Sequence, residues 1–229
     1  MDYSPPSSLT EFQHQILEGF FQREKRMFLT GGGALAGFYL GHRRTDDLDL
    51  FAEPSALRLD EASAALRDAA TAIGATVETV ITYADFHRHL LRRGSEQCVV
   101  DLVIDRVPAL DAQKRAFGPV RVDTLREIAA NKICAIIGRS QIRDLVDLRR
   151  LVTDDAGLRR TLDDAQKKDA SADPATLAYV VDQIAIGPDA ALPDGSNARE
   201  LETFRQELVK TLRSDAFAVA RKRGDSHSD

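Results

Sequence analysis

Two aspartates in a short apolar segment have the residue type and the spacing for metal-dependent chemistry. Asp47 and Asp49 alternate with Leu48 and Leu50, so a β-strand here would place both carboxylates on one face, about 7 Å apart along the strand. Two carboxylates in a low-dielectric environment repel each other unless a cation lies between them. The segment therefore predicts either a Mg²⁺ site or a solvated edge strand that happens to carry an acidic face.

A third aspartate, Asp101, interrupts the apolar run 98–104. A lone ionised carboxylate in a strand that is buried on both faces is costly unless a cation or a metal is paired with it. One alternative is a structural salt bridge to an arginine. The other is a two-metal site for phosphoryl or nucleotidyl transfer, formed by Asp47, Asp49 and Asp101 if their strands are neighbours.

A glycine turn supplies a second chemical feature. Gly31, Gly32 and Gly33 separate the apolar run 27–29 from a segment of helical composition, 34–40. Backbone at such a turn can approach a ligand closely, and the N–H groups that begin the next helix attract anions. The turn suits a triphosphate, although its spacing matches neither a Walker loop nor a dinucleotide-binding fingerprint.

Basic residues on a later helix form the third feature. Projection of the helix that begins at Thr124 places Lys132 and Arg139 within its apolar arc. Either their long stems extend to solvent, or their charges face an anion across a cleft. Arg143 and Asp147 follow at i,i+4 spacing, which by itself predicts an ordinary helical ion pair.

The elements that must position these residues divide the chain into two halves. Residues 1–122 alternate strand-type and helical segments and predict an α/β (α+β) core, a mixed sheet flanked by helices. Residues 123–229 are almost entirely helical in pattern and predict a C-terminal helical bundle or cap; if the aspartates and glycines above form an active site, we expect this part to complete its cleft. Helices are predicted over residues 9–25, 54–73, 124–137, 141–152, 158–168, 174–184 and 199–221.

Composition limits the class of protein. The chain has 229 residues, of which 43% are hydrophobic and 29% are charged, as in a soluble globular protein. No apolar run approaches the roughly 18 residues of a membrane span, so we expect a cytoplasmic protein without a membrane segment. The net charge of −5 means that any nucleic acid must be met by a local basic patch, such as residues 87–89 with 92–93. Cys98 and Cys134 are expected to be core residues.

The ordered set of motifs resembles the AbiEii/MenT family of nucleotidyltransferase toxins, within the DNA polymerase beta-like nucleotidyltransferase superfamily. The resemblance covers roughly residues 27–150, and the last third of the chain carries no motif that we can assign. The matching segments are Gly31–Leu35, His42–Phe51, Asp101, Lys132–Ala135 with Arg139, and Arg143-Asp144-x-x-Asp147.

The resemblance implies Mg²⁺ as cofactor, an NTP as substrate, a separately encoded antitoxin as partner, and the 3′ end of tRNA as acceptor. It implies that Asp47 and Asp49 bind metal, that Lys132 contacts the nucleotide phosphates, and that Asp147 is the acidic residue of the last motif. Asp101 is assigned as the third carboxylate by its strand context. The nucleotide contacts that we expect are Gly31, Gly32, Gly33, Arg43, Thr45, Arg139 and Arg143.

Two positions depart from the family pattern. Gly33 stands where the family usually has Ser or Thr, so backbone N–H groups would have to replace a hydroxyl contact to phosphate. Thr45 stands where Ser is common.

Alternative functions stay open. Instead of tRNA, the acceptor could be a small molecule or a protein hydroxyl, and the chain could also be an inactive module that binds a nucleotide or a partner.

Overall fold

The structure is a computed structural model that describes residues 8–54 and 56–225. It divides into two compact units. Unit 1 contains the chain up to Val107 together with Asp111–Ile128, and unit 2 contains Pro108–Leu110 together with the chain from Ala129 onward. No helix in the described part of the chain has both the length and the apolar composition that a membrane crossing requires.

The helices and strands follow the predicted order. The strands are β1 (Phe28–Thr30), β2 (Asp47–Ala52), β3 (Thr76–Tyr83), β4 (Phe86–Arg93), β5 (Glu96–Ile104), β6 (Arg115–Phe117) and β7 (Val120–Val122). The helices are α1 (Glu11–Arg23), α2 (Gly31–Ala34), α3 (Leu59–Ala72), α4 (Leu125–Arg139), α5 (Ile142–Leu151), α6 (Asp155–Lys168), α7 (Pro174–Gln183) and α8 (Ala198–Asp225). A π-helical segment, Leu35–Leu40, continues α2.

Unit 1 contains one mixed sheet of seven strands in the order β3-β4-β5-β2-β1-β7-β6. The β2–β5 and β1–β7 pairs are parallel, and the remaining pairs are antiparallel. The predicted mixed α/β fold is confirmed. The short hairpin of β6 and β7 had not been predicted as two strands, because its three-residue strands are too short to show a period of two.

Alternation along β2 divides its residues between two environments. Leu48 and Leu50 are fully buried, whereas Asp47 and Asp49 are half-buried on the other face. Helices α1 and α3 pack against each other and against the sheet. Burial of each leucine side chain stabilises the fold by about 2 kcal/mol, which fixes the register of β2 and therefore the face on which its aspartates lie.

Unit 2 has a helical core of its own. Its buried apolar residues come from every helix from α4 to α8, and they include Ile133, Leu145, Leu162, Leu177 and Leu208. Helix α7 begins as its sequence predicts, because Asp173 caps the amides of residues 175 and 176 ahead of a proline in the first turn. In the described part of the chain no strand follows Val122, as expected.

Candidate active site

A row of four polar residues crosses the middle of the sheet. Thr30 on β1 is the cross-strand partner of Asp49 on β2, Asp49 is the partner of Asp101 on β5, and Asp101 is the partner of Arg88 on β4. Cross-strand partners lie on the same face of a sheet. The structure therefore brings Asp49 and Asp101 together from two parallel strands, as the predicted carboxylate cluster requires.

The end of β1 is held firmly beside this row. Thr30 is buried, and its hydroxyl donates to Asp123 Oδ2 over 2.8 Å. The Nζ of Lys114 donates to the other oxygen of Asp123 over 2.8 Å and lies 4.3 Å from the centre of the Phe28 ring. These contacts position the backbone at the point where the glycine turn begins.

The glycine turn lies directly against the carboxylates. Gly31 has a φ of +66°, and a Cβ atom at this position would collide with Asp49 Oδ2. A Cβ atom at Gly32 would lie 2.6 Å from a guanidinium nitrogen of Arg43. A Cβ atom at Gly33 would lie 3.3 Å from the carbonyl oxygen of Asp47. Glycines here therefore let the backbone approach both acidic and basic groups.

Asp47 is oriented by a neighbour in the same motif. The Thr45 hydroxyl donates to Asp47 Oδ1 over 2.7 Å, and Thr45 itself is buried. The carbonyl of Thr45 accepts a hydrogen bond of 2.8 Å from the buried side chain of Gln13 on α1. The segment that enters β2 is thus fixed to the core, and one oxygen of Asp47 already has a donor.

Asp101 has an arginine partner. Arg88 Nε donates to Asp101 Oδ1 over 2.8 Å, and a terminal nitrogen of Arg88 donates to Oδ2 over 2.6 Å. This bidentate pair corresponds to the salt bridge that the sequence left open as one alternative. The hydrogen bond with Asp101, joined by the nearby charges of Asp47 and Asp49, raises the pKa of Arg88.

Arg88 is the residue of this site that sequence reasoning missed. It was considered only as part of a basic patch with His87 and His89. Strand alternation separates them, because His87 and His89 are buried on the other face of β4, whereas the side chain of Arg88 is 42% exposed beside the carboxylates. The period of two in β4 was the signal that could have distinguished Arg88 from its neighbours.

The number and the chemistry of the aspartates decide whether this site could hold Mg²⁺. Mg²⁺ in proteins is commonly held by one or two carboxylates, with water and substrate phosphates completing six oxygen ligands. Asp47 and Asp49 are two carboxylates on one face of β2, and the glycine turn lies directly against Asp49. Among residues 8–54 and 56–225, no group of three or more His, Cys, Asp or Glu side chains is arranged to hold a metal ion. Asp101 lies in the same row, with both oxygens bonded to Arg88.

The basic residues of α4 form a buried ion-pair network within unit 2. Lys132 Nζ lies 2.9 Å from Asp144 Oδ1 and 2.6 Å from Asp147 Oδ2, and all three side chains are at most 5% exposed. Arg139 donates to both oxygens of Asp144, over 2.7 and 2.8 Å. Lys132 therefore does not extend to solvent, and its charge is met by aspartates of α5.

The same network determines the ionisation of Asp144. Burial acts to raise the pKa of Asp144, but the hydrogen bond from Arg139 and the charge of Lys132 outweigh it and hold that pKa below its usual range. Asp144 is consequently ionised at neutral pH, as the pairing of two basic side chains requires. Arg143, on the same helix, is half-buried.

The predicted site residues thus fall into two groups, one in each unit. Unit 1 brings together the glycine turn, the residues that precede β2 and the carboxylates, namely Gly31, Gly32, Gly33, Arg43, Thr45, Asp47, Asp49 and Asp101. Unit 2 brings together the basic and acidic residues of α4 and α5, namely Lys132, Arg139, Arg143 and Asp147.

Comparison with solved structures supports the fold. JHP933 from Helicobacter pylori has a TM-score of 0.52 at 23% identity, over 94% of this chain and all of that one. MenT4, a nucleotidyltransferase toxin from Mycobacterium tuberculosis, has a TM-score of 0.52 at 16% identity, over 88% of this chain and 82% of that one. No curated protein sequence matches the chain.

A family model gives the decisive match. The model of the nucleotidyl transferase AbiEii toxins of type IV toxin–antitoxin systems matches residues 15–225. This range includes both groups of site residues and extends through the last third of the chain, for which no motif had been assigned. The chain therefore belongs to the AbiEii family of nucleotidyltransferase toxins.

Proposed function

We propose that this protein transfers a nucleoside monophosphate from an NTP to an acceptor hydroxyl, with release of pyrophosphate. The observation that carries the proposal is the position of Asp49 against Gly31, with Asp47 on the same face of β2. This arrangement supports the proposal because two carboxylates on one face of β2 would bind the metal beside a backbone turn of the kind that binds phosphates. Family membership supports nucleotidyl transfer as the reaction type.

Asp47 and Asp49 are the residues that would hold Mg²⁺. When bound, the metal supplies charge neutralisation on the triphosphate and acidification of the acceptor hydroxyl, the usual roles in a two-metal phosphoryl transfer. The hydroxyl of Thr45 holds Asp47 in place, so one carboxylate is oriented before any ligand arrives. Service of Asp101 as a third ligand would require Arg88 to release at least one of its two hydrogen bonds.

The glycine turn is proposed to hold the triphosphate through its backbone N–H groups. Because Gly31, Gly32 and Gly33 have no side chains, their backbone can approach a bound group closely, and its N–H groups are proposed to replace the missing hydroxyl at residue 33. Arg43, whose guanidinium lies beside Gly32, is proposed as a positively charged contact to the nucleotide. Thr45 is proposed to contribute to nucleotide binding by holding the Asp47 carboxylate in position.

The basic residues of α4 are proposed to contact phosphate oxygens. An ammonium group has three donors, and Asp144 and Asp147 occupy two donor directions of Lys132. The remaining donor of Lys132 is proposed to contact a phosphate oxygen. Arg139 and Arg143 are proposed as further nucleotide contacts, and Asp147 as the acidic residue that orients Lys132.

The proposed acceptor is the 3′ end of a tRNA, and the proposed partner is an antitoxin that opposes the activity in the cytoplasm. The type IV classification of the family supports an antitoxin. Nucleotidyl transfer to a small molecule or a protein hydroxyl is the alternative on the acceptor side. A further alternative is an inactive module that binds a nucleotide or a partner, which would have the same fold but would not catalyse transfer.

Label transfer separates these alternatives. Each α-labelled NTP is incubated with the protein and Mg²⁺, first with total RNA, then with lysate protein, then with a small-molecule extract, and EDTA is added to a parallel set. We expect label in the tRNA fraction, with one NTP preferred, and none with EDTA. Label in protein or small molecules would change the acceptor, and nucleotide binding without transfer to any fraction would contradict the proposal.

A further inference from the structure

Asp123, which directly follows β7, contacts both ends of the segment that contains the glycine turn. Before the turn, the Asp123 amide donates to the Leu29 carbonyl over 2.8 Å, and Asp123 Oδ2 accepts the hydrogen bond of 2.8 Å from the Thr30 hydroxyl. After the turn, the Tyr39 hydroxyl donates to the Asp123 carbonyl over 2.6 Å. A single residue of unit 1 therefore joins the two ends of segment 31–38.

The contact of Tyr39 belongs to an unusual stretch of backbone. Tyr39 lies in the π-helical segment Leu35–Leu40, and π-helical turns are rare and frequent at functional sites. Its ring packs edge-on against the ring of Phe117, with 5.6 Å between the two centres. Burial raises the pKa of Tyr39 to about 12. The hydroxyl thus keeps, at neutral pH, the proton that it donates to the Asp123 carbonyl.

The carboxylate of Asp123 is itself held in place. Lys114 Nζ donates to Asp123 Oδ1 over 2.8 Å, and both side chains are only 3% exposed. The Thr124 amide donates to the same oxygen over 3.1 Å. Separation of a buried ion pair is costly, so Lys114 keeps Oδ2 directed to the Thr30 hydroxyl.

Neither the cap of α4 nor the neutralisation of Lys114 accounts for this carboxylate. Helix α4 is capped by Thr124, whose hydroxyl accepts a hydrogen bond of 3.2 Å from the Glu127 amide. Glu127 also places a carboxylate oxygen 3.4 Å from Lys114 Nζ, so a second buried carboxylate is present for that charge. The contact that only the Asp123 side chain makes is the one with Thr30, at the start of the glycine turn.

We propose that Asp123 is a positioning residue for nucleotide binding, which fixes the glycine turn through Thr30 and Tyr39 in the geometry that receives a triphosphate. This inference rests on the proposed role of the turn in binding phosphates. Gly31 lies so close to Asp49 that a Cβ atom does not fit between them. A displaced turn would therefore aim its N–H groups away from phosphates that are bound at the metal, and a small misplacement of this kind is costly.

Variants of Thr30 test the proposal by calorimetric titration with the α,β-imido analogues of the four NTPs, in the presence of Mg²⁺. Thr30→Val has the same shape but no hydroxyl, and we expect it to bind the preferred analogue about tenfold more weakly than the unmodified protein. Tyr39→Phe, which removes the second contact, should also weaken binding. Thr30→Ser restores the hydroxyl and should bind as the unmodified protein does.

A matched pair of variants tests Asp123 directly. Asp123→Asn and Asp123→Ala both remove the charge beside Lys114, but asparagine retains a hydrogen-bonding partner for the Thr30 hydroxyl in either orientation of its amide. We therefore expect Asp123→Asn to bind the analogue about tenfold more tightly than Asp123→Ala does. Equal affinities of these two variants would overturn the proposal.

Steady-state kinetics separate positioning from a loss of stability. Partial unfolding lowers the amount of active protein and hence the apparent kcat, whereas a displaced phosphate-binding turn raises KM. We expect Thr30→Val to raise KM about tenfold, in line with the lost affinity, with the larger effect on KM than on kcat. Ser63→Ala is the control, because it removes a buried hydroxyl that hydrogen-bonds to His87 and His89, and its KM should be that of the unmodified protein.

The outcomes distinguish failure of this inference from failure of the proposed function. If the unmodified protein binds the analogue and folded Thr30→Val binds it equally well, the inference is wrong and the proposed function stands. The inference is also wrong if Thr30→Ser is as weak as Thr30→Val, or if Ser63→Ala raises KM to the same extent. If Thr30→Val does not fold, unchanged binding by Tyr39→Phe overturns the inference. If the unmodified protein binds none of the four analogues, the proposed function fails and the inference fails with it.

Discussion

Asp49 and Asp101 are direct cross-strand partners on the parallel strands β2 and β5, and Arg88 completes the row beyond Asp101. Like charges opposite each other destabilise a sheet unless a cation compensates them. Arg88 compensates Asp101 with two hydrogen bonds. Asp47 and Asp49, next to the glycine turn, are the carboxylates that we assign to a metal ion.

The first prediction concerns Asp47. Asp47→Asn should reduce label transfer from an α-labelled NTP by at least about 100-fold, the scale of loss of a main electrostatic contact in catalysis, without loss of the fold. Asp46→Asn is the matched control, since Asp46 is the exposed neighbour on the opposite side of the segment. Equal activity of the two variants would show that Asp47 does not bind the metal.

Gly31 provides a test that separates backbone strain from contact with a carboxylate. Gly31→Ala should destabilise the fold by about 1–2 kcal/mol, because its φ is +66° and an L-residue is strained there. It should also displace Asp49 and abolish transfer. Gly94, which has a φ of +57° and open space where a Cβ atom would lie, is the control for strain alone.

Gly94→Ala should lower stability to a similar extent and leave transfer unchanged. Urea unfolding and label transfer are measured on both variants. If both lose transfer, or if Gly31→Ala retains it, the approach of the turn to Asp49 has no role in the reaction.

The Arg88–Asp101 pair predicts an asymmetry in stability. Arg88→Met should destabilise the protein by about 2 kcal/mol or more, because it leaves the buried carboxylate of Asp101 unpaired, and addition of Asp101→Asn should restore part of the loss. Arg92→Met is the matched control on the same strand. Arg92 pairs with Glu78 where both side chains are more than half exposed, so its loss should cost less than about 1 kcal/mol.

Much of this site was predictable from the sequence, and the part that was not depends on long-range register. Alternation in residues 47–51 placed both aspartates on one face, and the apolar run around Asp101 required a cation for that residue. The identity of the cation was not predictable, because it depends on the pairing of β4 with β5. Likewise, helical periodicity placed Lys132 on an apolar arc, but its partners belong to the next helix and require the packing of α4 with α5.

His89 predicts a loss of stability in mild acid. Burial lowers its pKa from 6.5 to about 4, so between these values the unfolded chain takes up a proton that the folded protein does not. The free energy of unfolding therefore falls as pH falls through this window and is unaffected above it. From about pH 7 to about pH 5 this residue alone should cost about 2 kcal/mol.

The comparison that isolates His89 is urea unfolding of the unmodified protein and of His89→Gln at both pH values. Glutamine does not titrate, so the variant should lose less stability than the unmodified protein over the same interval. Identical pH dependence of the two proteins would assign the acid sensitivity to carboxylates elsewhere.

Lys132 lies between Asp144 and Asp147, all three almost completely buried, and its removal should be severe. Lys132→Met leaves two buried carboxylates with one cation fewer, and we expect a loss of about 3–5 kcal/mol, the cost of breaking a buried ion pair. Lys167→Met is the control, because Lys167 is 59% exposed in its pair with Asp164 and its loss should cost less than about 1 kcal/mol.

A second variant distinguishes a structural role of Lys132 from a role in transfer. Asp144 retains Arg139 as a partner, so Lys132→Met combined with Asp147→Asn removes the unpaired charge and should recover most of the stability. If Lys132 contacts phosphate, the recovered protein should still transfer label at least about 100-fold more slowly. Restoration of both stability and transfer would mean that Lys132 serves only to neutralise Asp144 and Asp147, because the reaction would then proceed without any ammonium at that position.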